Sequence, residues 1–325
     1  MQALWLENNQ LDLRSVPQPA KPGEALVRIR LAGVCGTDLE LVKGYYPFTG
    51  IPGHEFVGEV VQVQPPGSGL PSATQTDLVG RRVVGEINAS CGACEQCRNG
   101  RPTHCENRSV LGITNRDGVF AEYTSLPLQN LQFVPDDVPD EIAVFTEPLA
   151  AALEIQQQVQ IHPGDRVLLI GAGRLGQLIA QTLALTGADL QVLARHPLQK
   201  KLLIERGVKL IDESAIKPWR WDVVVEATGS PAGFELARKA IRPRGTIVLK
   251  STYKGDVTLN LSSIVVDEIN ICGSRCGPFE PALRLMQQKM VDPTILIAAR
   301  YGLNEGLQAF EKAAERGVLK VLVKP

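Results

Sequence analysis

The chain has 325 residues, of which 44% are hydrophobic and 21% are charged, and its formal net charge is −1. This composition is typical of a soluble globular protein long enough for two domains. The near-zero charge argues against a nucleic-acid or anionic-membrane surface, because such a surface needs an excess of Lys and Arg. No apolar run approaches the length of a membrane span, and "MQALWLENNQ" lacks the pattern of a secretory signal. We therefore expect a cytoplasmic protein.

The first 145 residues predict a β-rich and loop-rich region. "EALVRIRLAGV" and "GEVVQVQPPG" have the apolar patterns of strands, and prolines stop the second one. The polar stretch 65–77, rich in Pro, Gly and Ser, predicts a surface loop.

From about residue 147, strands and helices alternate. "RVLLIGAG", "LQVLA", "KLI", "WDVVVEATG" and "GTIVLKST" predict strands, and "RLGQLIAQTLALTGA" predicts a helix that ends at Gly187. Strands separated by helices predict an α/β fold with a doubly wound parallel sheet of Rossmann type. The tail differs from this alternation, because it contains the helix-like "NEGLQAFEKAAERG" and a last strand "VLKVLVKP". We expect domains at 1–147 and 148–290, with 291–325 returning to the first.

A glycine-rich turn follows the strand "RVLLI". Gly171, Gly173 and Gly176 have G-x-G-x-x-G spacing, and the turn opens a helix, which is the context of a dinucleotide site. Such a turn brings the backbone close to a pyrophosphate, which then faces the helix N-terminus. Arg174 and Leu175, inside the motif, and Thr228, after a later strand, are further candidate cofactor contacts.

The residue that selects the cofactor falls on Arg195, at the end of the strand "LQVLA". An acidic side chain here would bind the adenosine ribose and favour NAD, but no acid is present. A guanidinium suits a 2′-phosphate, and His196 and Lys200 lie nearby in the sequence. We therefore predict NADP over NAD. The alternative, that Arg195 is a solvated loop cation, stays open.

Cys35, His54 and Glu55 offer a thiolate, an imidazole and a carboxylate, which together are typical zinc ligands. A lone Cys or His is usually structural, so none of these residues carries a metal assignment alone. Cys91, Cys94, Cys97 and Cys105 lie within fifteen residues, and in a reducing compartment such a cluster favours a metal over disulfides.

In this order, "GVCGTDLELVKGYYPFTGIPGHEFVGEV", "CGACEQCRNGRPTHC", "FTEPLA" and "GAGRLG" resemble the zinc-dependent medium-chain dehydrogenase/reductase family, which is alcohol dehydrogenase-like. The resemblance covers essentially the whole chain. It implies an N-terminal GroES-like β domain and a Rossmann domain. It also implies an NAD(P)-linked, zinc-containing oxidoreductase that acts on an alcohol, aldehyde, ketone or polyol, and assembly as a homodimer or homotetramer.

The resemblance also implies roles for the metal residues. Cys35 and His54 match the catalytic zinc ligands, and Glu147 occupies the third protein position, where polyol-type relatives use glutamate. Glu55 matches a carboxylate that can exchange with the substrate oxygen on the metal. Which of the two glutamates binds zinc at rest stays open. We expect Asp38 to support His54, and the alternative, that Asp38 only caps a turn, stays open.

Three further roles follow from the resemblance. Thr37 matches the hydroxyl that relays the alcohol proton. Many relatives end that relay on a histidine three residues later, whereas this chain has Glu40, so proton exit through Glu40 and direct exit to water are both open. Lys320 resembles the basic residue that reaches the cofactor pyrophosphate, and as an alternating strand position it could instead face solvent.

The four clustered cysteines match the structural zinc lobe of the family, a closed tetrathiolate site. The spacing C-x2-C-x2-C also begins ferredoxin-type runs, which continue with C-x3-C-P. Here the last gap is seven residues and Glu106 follows Cys105, so zinc is favoured. Two zinc ions per chain are predicted. Cys272 and Cys276 have no matching partners and are interpreted as structural.

The substrate is left open. Tyr45, Tyr46 and Phe48 are expected to line the pocket, and Asn88 with Glu147 favours a polyol, sugar or hydroxy acid. NADP instead favours reduction of an aldehyde or ketone. The alternatives are an NAD-dependent polyol or sugar dehydrogenase and a catalytically silent cofactor-binding protein. A zinc-free quinone reductase would lack the cysteine lobe, which is present here.

Overall fold

The computed structural model describes residues 1–45, 47–64, 77–252 and 256–325. Tyr46 and nearly all of the predicted loop at 65–77 therefore lie outside the described residues. The chain forms two compact units, the first of residues 1–147 and 279–325 and the second of residues 148–278. Within the described residues, no helix combines the length and the hydropathy that a membrane span requires.

The strands, numbered in chain order, are β1 (Gln2–Glu7), β2 (Gln10–Ser15), β3 (Glu24–Gly33), β4 (Glu55–Val63), β5 (Arg82–Gly85), β6 (Asn88–Ala89), β7 (Ser109–Val110), β8 (Tyr123–Pro127), β9 (Leu131–Phe133), β10 (Arg166–Ile170), β11 (Asp189–Leu193), β12 (Lys209–Leu210), β13 (Trp221–Glu226), β14 (Ile241–Leu249), β15 (Asn270–Gly273), β16 (Ile297–Gly302) and β17 (Lys320–Lys324).

The α-helices are α1 (Gly36–Val42), α2 (Glu95–Arg98), α3 (Asp140–Ala143), α4 (Thr146–Gln158), α5 (Arg174–Ala184), α6 (Pro197–Glu205), α7 (Pro231–Ala240), α8 (Leu261–Val266), α9 (Phe279–Gln287) and α10 (Gly306–Ala314). Short 3₁₀ turns occur at Pro102–His104, Leu128–Asn130, Glu213–Ala215, Thr294–Leu296 and Leu303–Glu305.

A seven-stranded sheet organises the first unit. Its strands lie in the order β16-β17-β3-β4-β5-β9, and β8 pairs with β3. Strand β3 forms because its apolar side chains are buried while Arg28 and Arg30 project to solvent. It pairs antiparallel with β4 in a register that sets Gly33 opposite Glu55. This register brings the end of β3 beside the start of β4, where the candidate metal ligands lie.

Six parallel strands form the sheet of the second unit, in the order β12-β11-β10-β13-β14-β15. Val167, Leu168 and Leu169 of β10 are completely buried, as expected for a central parallel strand covered on both faces. The predicted Rossmann sheet is confirmed. Because β11 and β13 flank β10 on opposite sides, the order of strands reverses at β10, and ligands bind such sheets at the carboxyl ends of these strands.

The return to the first unit differs from the predicted boundary at 290. The second unit ends at Pro278, so α9 belongs to the first unit. The physical reason is that α9, whose Phe279, Leu283 and Met286 are buried, contacts α3 of the first unit, and its Gln287 donates a hydrogen bond to Asp137 there. Its helical pattern continues the strand–helix alternation before it, and the sequence therefore gives no break at this point. Strands β15 and β16 were also not predicted.

Candidate active site

Cys35 and His54 meet at the end of the β3–β4 pair. Cys35 stands directly before α1, and His54 directly precedes β4. One ligand atom from each of Cys35, His54 and Glu55 lies within 4.8 Å of the other two. A thiolate, an imidazole and a carboxylate at this separation fit a zinc ion. The three residues singled out from the sequence are therefore brought together.

Asp38 holds two of these ligands. Its Oδ2 accepts a hydrogen bond of 2.8 Å from the backbone N–H of Cys35, and its Oδ1 lies 3.3 Å from Nδ1 of His54. This contact with Nδ1 leaves Nε2 of the imidazole as the atom that can ligate a metal. The expectation that Asp38 supports His54 agrees with this geometry.

The charge around His54 is strongly negative. Burial alone would lower the pKa of His54, but the charges of Asp38 and then of Cys35 raise it well above its ordinary value. A ring that stays protonated without metal must lose its proton when it becomes a ligand. The same negative surroundings attract a divalent cation.

Glu55 is paired with Lys320, not free. Both side chains are buried, and Nζ of Lys320 forms an ion pair with Oε2 of Glu55. The amine also lies 5.5 Å from the centre of the Phe145 ring. The alternative that Lys320 faces solvent is wrong, because β17 is inserted between β16 and β3 and the side chain is buried. Its contact with a pyrophosphate stays a prediction.

Glu147, the second residue of α4, lies outside the tight group of Cys35, His54 and Glu55. Glu147 is partly buried, and desolvation of its carboxyl raises the pKa of Glu147 to about 7; the charge of His54 opposes this rise, and the charges of Glu55 and Glu86 reinforce it. Glu147 is therefore near enough to His54 and Glu55 for their charges to shift its pKa.

Glu86 is a functional candidate that sequence reasoning missed. Its Oε1 accepts hydrogen bonds from the backbone N–H of Asn88, at 2.9 Å, and from the Asn88 amide, at 2.6 Å. Asn130 in turn donates to the backbone carbonyls of Glu86 and Asn88. The Asn88 amide thus supports Glu86. The only sequence signal was an acid in a strand-rich region just before "INAS".

The two predicted relay residues lie in α1 but differ in their surroundings. The hydroxyl oxygen of Thr37 is 3.9 Å from Sγ of Cys35, so Thr37 is beside the ligand set. Glu40 is exposed, and its Oε1 pairs with Nζ of Lys43 at 2.8 Å. A carboxylate held by a lysine in solvent is a poor relay end, so the geometry favours Thr37 alone.

The four clustered cysteines converge on one point. Their Sγ atoms are 3.5 Å apart for Cys94 and Cys97, 3.8 Å for Cys94 and Cys105, and 3.5 Å for Cys105 and Cys91. A disulfide would require about 2.05 Å. Four sulfurs at about 2.3 Å from one tetrahedral zinc lie about 3.8 Å from each other. The cluster therefore fits a closed tetrathiolate zinc site.

Backbone N–H groups stabilise the thiolates of this cluster. Cys91 donates from its N–H to Sγ of Cys105 at 3.3 Å, and Cys94 donates to Sγ of Cys91 at 3.4 Å. Hydrogen bonds from the backbone of Ala93, and then of Cys94, lower the pKa of Cys91 to about 6. A thiolate is the form that binds metal.

The glycine-rich turn has the geometry its spacing predicts. Gly171 has a φ of +104°, and a Cβ there would lie 2.6 Å from the carbonyl oxygen of Ala227. At Gly176 a Cβ would lie 2.2 Å from the carbonyl oxygen of Gly171. A Cβ at Gly173 would meet no atom within 4 Å, so this side of the turn is open. Arg174 and Leu175 begin α5 directly after it.

A buried carboxylate shapes the loop that carries Thr228. Glu226, at the end of β13, accepts hydrogen bonds from the N–H of Thr228, at 2.6 Å, and from its hydroxyl, at 2.5 Å. The loop contacts the glycine-rich turn through Ala227 and Gly171. Glu226 was not predicted, because a single acid at the end of an apolar strand has no motif of its own.

The predicted selectivity residues follow β11. Arg195 is exposed, and His196 caps the N-terminus of α6. Because Leu193 accepts a hydrogen bond from the N–H of Gly171, this end of β11 is adjacent to the glycine-rich turn. Lys200, within α6, lies 3.6 Å from Asp212.

Two family models match this sequence. The alcohol dehydrogenase GroES-like domain matches residues 21–136, and the zinc-binding dehydrogenase matches residues 175–288. D-arabinitol dehydrogenase 1 of Uromyces fabae is 32% identical and is aligned over 93% of this chain and 90% of its own length. An L-threonine 3-dehydrogenase of Chelativorans sp. is 36% identical over 84% of this chain and 80% of its own.

Solved structures share the whole fold. A zinc-binding dehydrogenase of Sinorhizobium meliloti bound to NADP has a TM-score of 0.89 and 29% identity, with coverage of 100% of this chain and 99% of its own. A protein described as a short chain alcohol dehydrogenase of Escherichia coli, in complex with NADH, has a TM-score of 0.89, 28% identity and the same coverage. The two carry different nicotinamide cofactors.

Serine substitutions separate the two candidate metal centres. If Cys35 is a ligand of a catalytic zinc, we predict that Cys35→Ser lowers kcat at least about a thousandfold and leaves the thermal midpoint nearly unchanged. Cys97→Ser should lower that midpoint by at least about 5 °C, because a zinc ion held by all four cysteines would cross-link the segment 91–105 and stabilise its fold. Steady-state kinetics and thermal unfolding of both variants check this. Full turnover by Cys35→Ser would refute the assignment.

Proposed function

Because the chain belongs to the zinc-dependent medium-chain dehydrogenase/reductase family, we propose that it transfers hydride between NADP(H) and an alcohol that carries neighbouring hydroxyl groups, or the corresponding carbonyl compound. Its general class is that of oxidoreductases that act on CH–OH groups with NAD(P). The single observation that carries the cofactor choice is Arg195, an exposed guanidinium at the carboxyl end of β11, where an acid would select NAD.

Cys35 and His54, with Glu55 or Glu147, would hold a catalytic zinc, which supplies a Lewis acid for the oxygen of the alcohol or carbonyl group. Asp38 fixes the imidazole and the Cys35 backbone, so the ligands stay in place through turnover. Thr37, beside Cys35, is the hydroxyl that can pass the alcohol proton onward. Lys320 balances the charge of Glu55 in a buried setting.

The second zinc would be structural. Cys91, Cys94, Cys97 and Cys105 use all four tetrahedral positions, so no position is left for a substrate. None of the seven cysteines, all of which lie in described residues, forms a disulfide, and this suits work in a reducing compartment such as the cytoplasm.

Polar surroundings support the choice of a polyol-type substrate. The carboxyl group of Glu147 lies within electrostatic reach of His54 and Glu55 and also of Glu86, and carboxylates accept hydrogen bonds from neighbouring hydroxyls. The similarity to a D-arabinitol dehydrogenase agrees with this choice. An amino alcohol is the second candidate, since a carboxylate would also pair with an ammonium group, and a threonine dehydrogenase is among the relatives.

Assembly as a homodimer is also proposed. In the described residues, β15 forms one edge of the six-stranded sheet, and its outer backbone groups are unpaired with a further strand. Val265 and Val266 of the adjacent α8 are 74% and 79% exposed, and Leu261 and Ile271 are exposed beside them in sequence. A two-fold axis would pair two such edges antiparallel and cover the apolar side chains.

Cofactor selectivity tests the proposed function directly. We predict that NADPH binds at least about tenfold more tightly than NADH, about 1.4 kcal/mol. Arg195→Ala should remove most of this difference in affinity by weakening the binding of NADPH, because only NADPH has the 2′-phosphate. Fluorescence titration with both cofactors measures it. The control is Arg220→Ala, an exposed arginine that precedes β13 at the opposite end of the strands. Equal binding of the two cofactors by the unaltered protein would reject NADP selectivity.

A charge in the apolar edge tests the assembly. We predict that Val265→Asp converts the dimer to a monomer, because two buried carboxylates would face each other across the axis. Light scattering after size-exclusion chromatography gives the mass. The control is Leu307→Asp, an exposed apolar residue of α10 in the first unit. A dimer that persists in Val265→Asp contradicts this interface.

A further inference from the structure

Gln177 is a buried polar residue that neither the predicted motif nor the proposed chemistry uses. It directly follows Gly176 in α5, and its side chain is fully buried among the residues of the helix that pack on the sheet. Burying an amide costs free energy unless it is hydrogen-bonded, so its partners indicate its purpose.

The amide nitrogen of Gln177 connects two segments. Nε2 donates hydrogen bonds of 3.2 Å to the carbonyl oxygen of Ala172 and of 3.2 Å to that of Gln199. Ala172 lies between the first two glycines of the glycine-rich turn, and Gln199 lies in the first turn of α6. Because both acceptors are carbonyl oxygens, only the nitrogen of the amide can face them, which fixes its orientation.

Gln199 passes this connection to the selectivity residues. Its Oε1 accepts a hydrogen bond of 3.4 Å from the backbone N–H of His196, which caps α6. Arg195 is the residue before His196. A continuous series of hydrogen bonds therefore runs from the turn expected to hold the pyrophosphate to the backbone that carries Arg195.

We infer that Gln177 is a positioning residue for cofactor selectivity, which holds the backbone at Arg195 and His196 at a fixed place relative to the glycine-rich turn. This inference rests on the proposed function, in which Arg195 binds the 2′-phosphate. NADPH would contact the turn through its pyrophosphate and the Arg195 segment through its 2′-phosphate, so the spacing between the two segments matters to NADPH. NADH uses the turn but has no phosphate at the second point.

The test replaces the amide and keeps the shape of the side chain. Gln177→Met removes both donors with little change of volume, and titration of the zinc-loaded enzyme gives the Kd of each cofactor. We expect the Kd for NADPH to rise about tenfold and that for NADH less than about threefold. Thr182→Val is the matched control, because Thr182 is buried in the same helix and, within the described part of the chain, its hydroxyl donates to the Ile179 carbonyl, at 3.1 Å, and not to the turn or to α6. It should lower the thermal midpoint and leave the ratio of the two Kd values unchanged.

Each other outcome has a distinct meaning. A Gln177→Met protein with a lower thermal midpoint and an unchanged ratio overturns the inference, since Gln177 would then be merely structural. An equal rise in the Kd values of both cofactors in Gln177→Met also overturns the inference. If Arg195→Ala leaves the ratio unchanged, the role of Arg195 in the proposed function fails, and the inference, which rests on it, is overturned with it. If Arg195→Ala changes the ratio and Gln177→Met does not, only the inference is overturned. If Gln177→Met does not fold, Gln177→Asn, with the amide on a shorter arm, should shift the ratio in the same direction.

Discussion

One buried carboxylate, Asp38, orients the candidate metal ligands on which the proposed site depends. It accepts a hydrogen bond from the backbone of Cys35 and faces the imidazole of His54. The register of β3 and β4 brings the two ligands together, but register alone does not orient an imidazole. A carboxylate buried without partners would be very unfavourable, so Asp38 and its two contacts stabilise each other. The pairing of β3 with β4 thus determines where the candidate ligands lie.

A second buried pair extends this charge balance. Glu55 adds a negative charge beside Cys35 and His54, and Lys320, from the last strand of the chain, neutralises it. The last strand therefore contributes to the site as well as to the sheet. Buried polar side chains also connect segments within the second unit. Glu226 accepts hydrogen bonds from the Thr228 loop, and Gln177 joins the glycine-rich turn to α6. Hydrogen bonds offset the desolvation of such buried groups, here those donated by Nε2 of Gln177 and those accepted by Glu226.

Much of the fold and of the candidate site could be predicted from the sequence, and the features that were not predicted were missed for physical reasons. Local patterns were sufficient for β3 and β10, for the glycine-rich turn and for the metal-binding residue types. Contacts between residues distant in sequence were not predictable, and Lys320, which is 265 residues from Glu55, is the clearest case. Strand β15 has mostly exposed side chains, so it shows no apolar alternation. Gln177 interrupts an apolar helix, but only its two acceptors reveal what it does.

Zinc content, measured together with activity, tests the central claim that one metal centre is catalytic and the other structural. We predict two zinc ions per chain by mass spectrometry of the purified protein. A chelator such as dipicolinate should remove about one, from the open site, and abolish turnover without unfolding the chain, and added zinc should restore it. A single zinc per chain, or loss of activity only when the cysteine cluster loses its metal, would contradict the account.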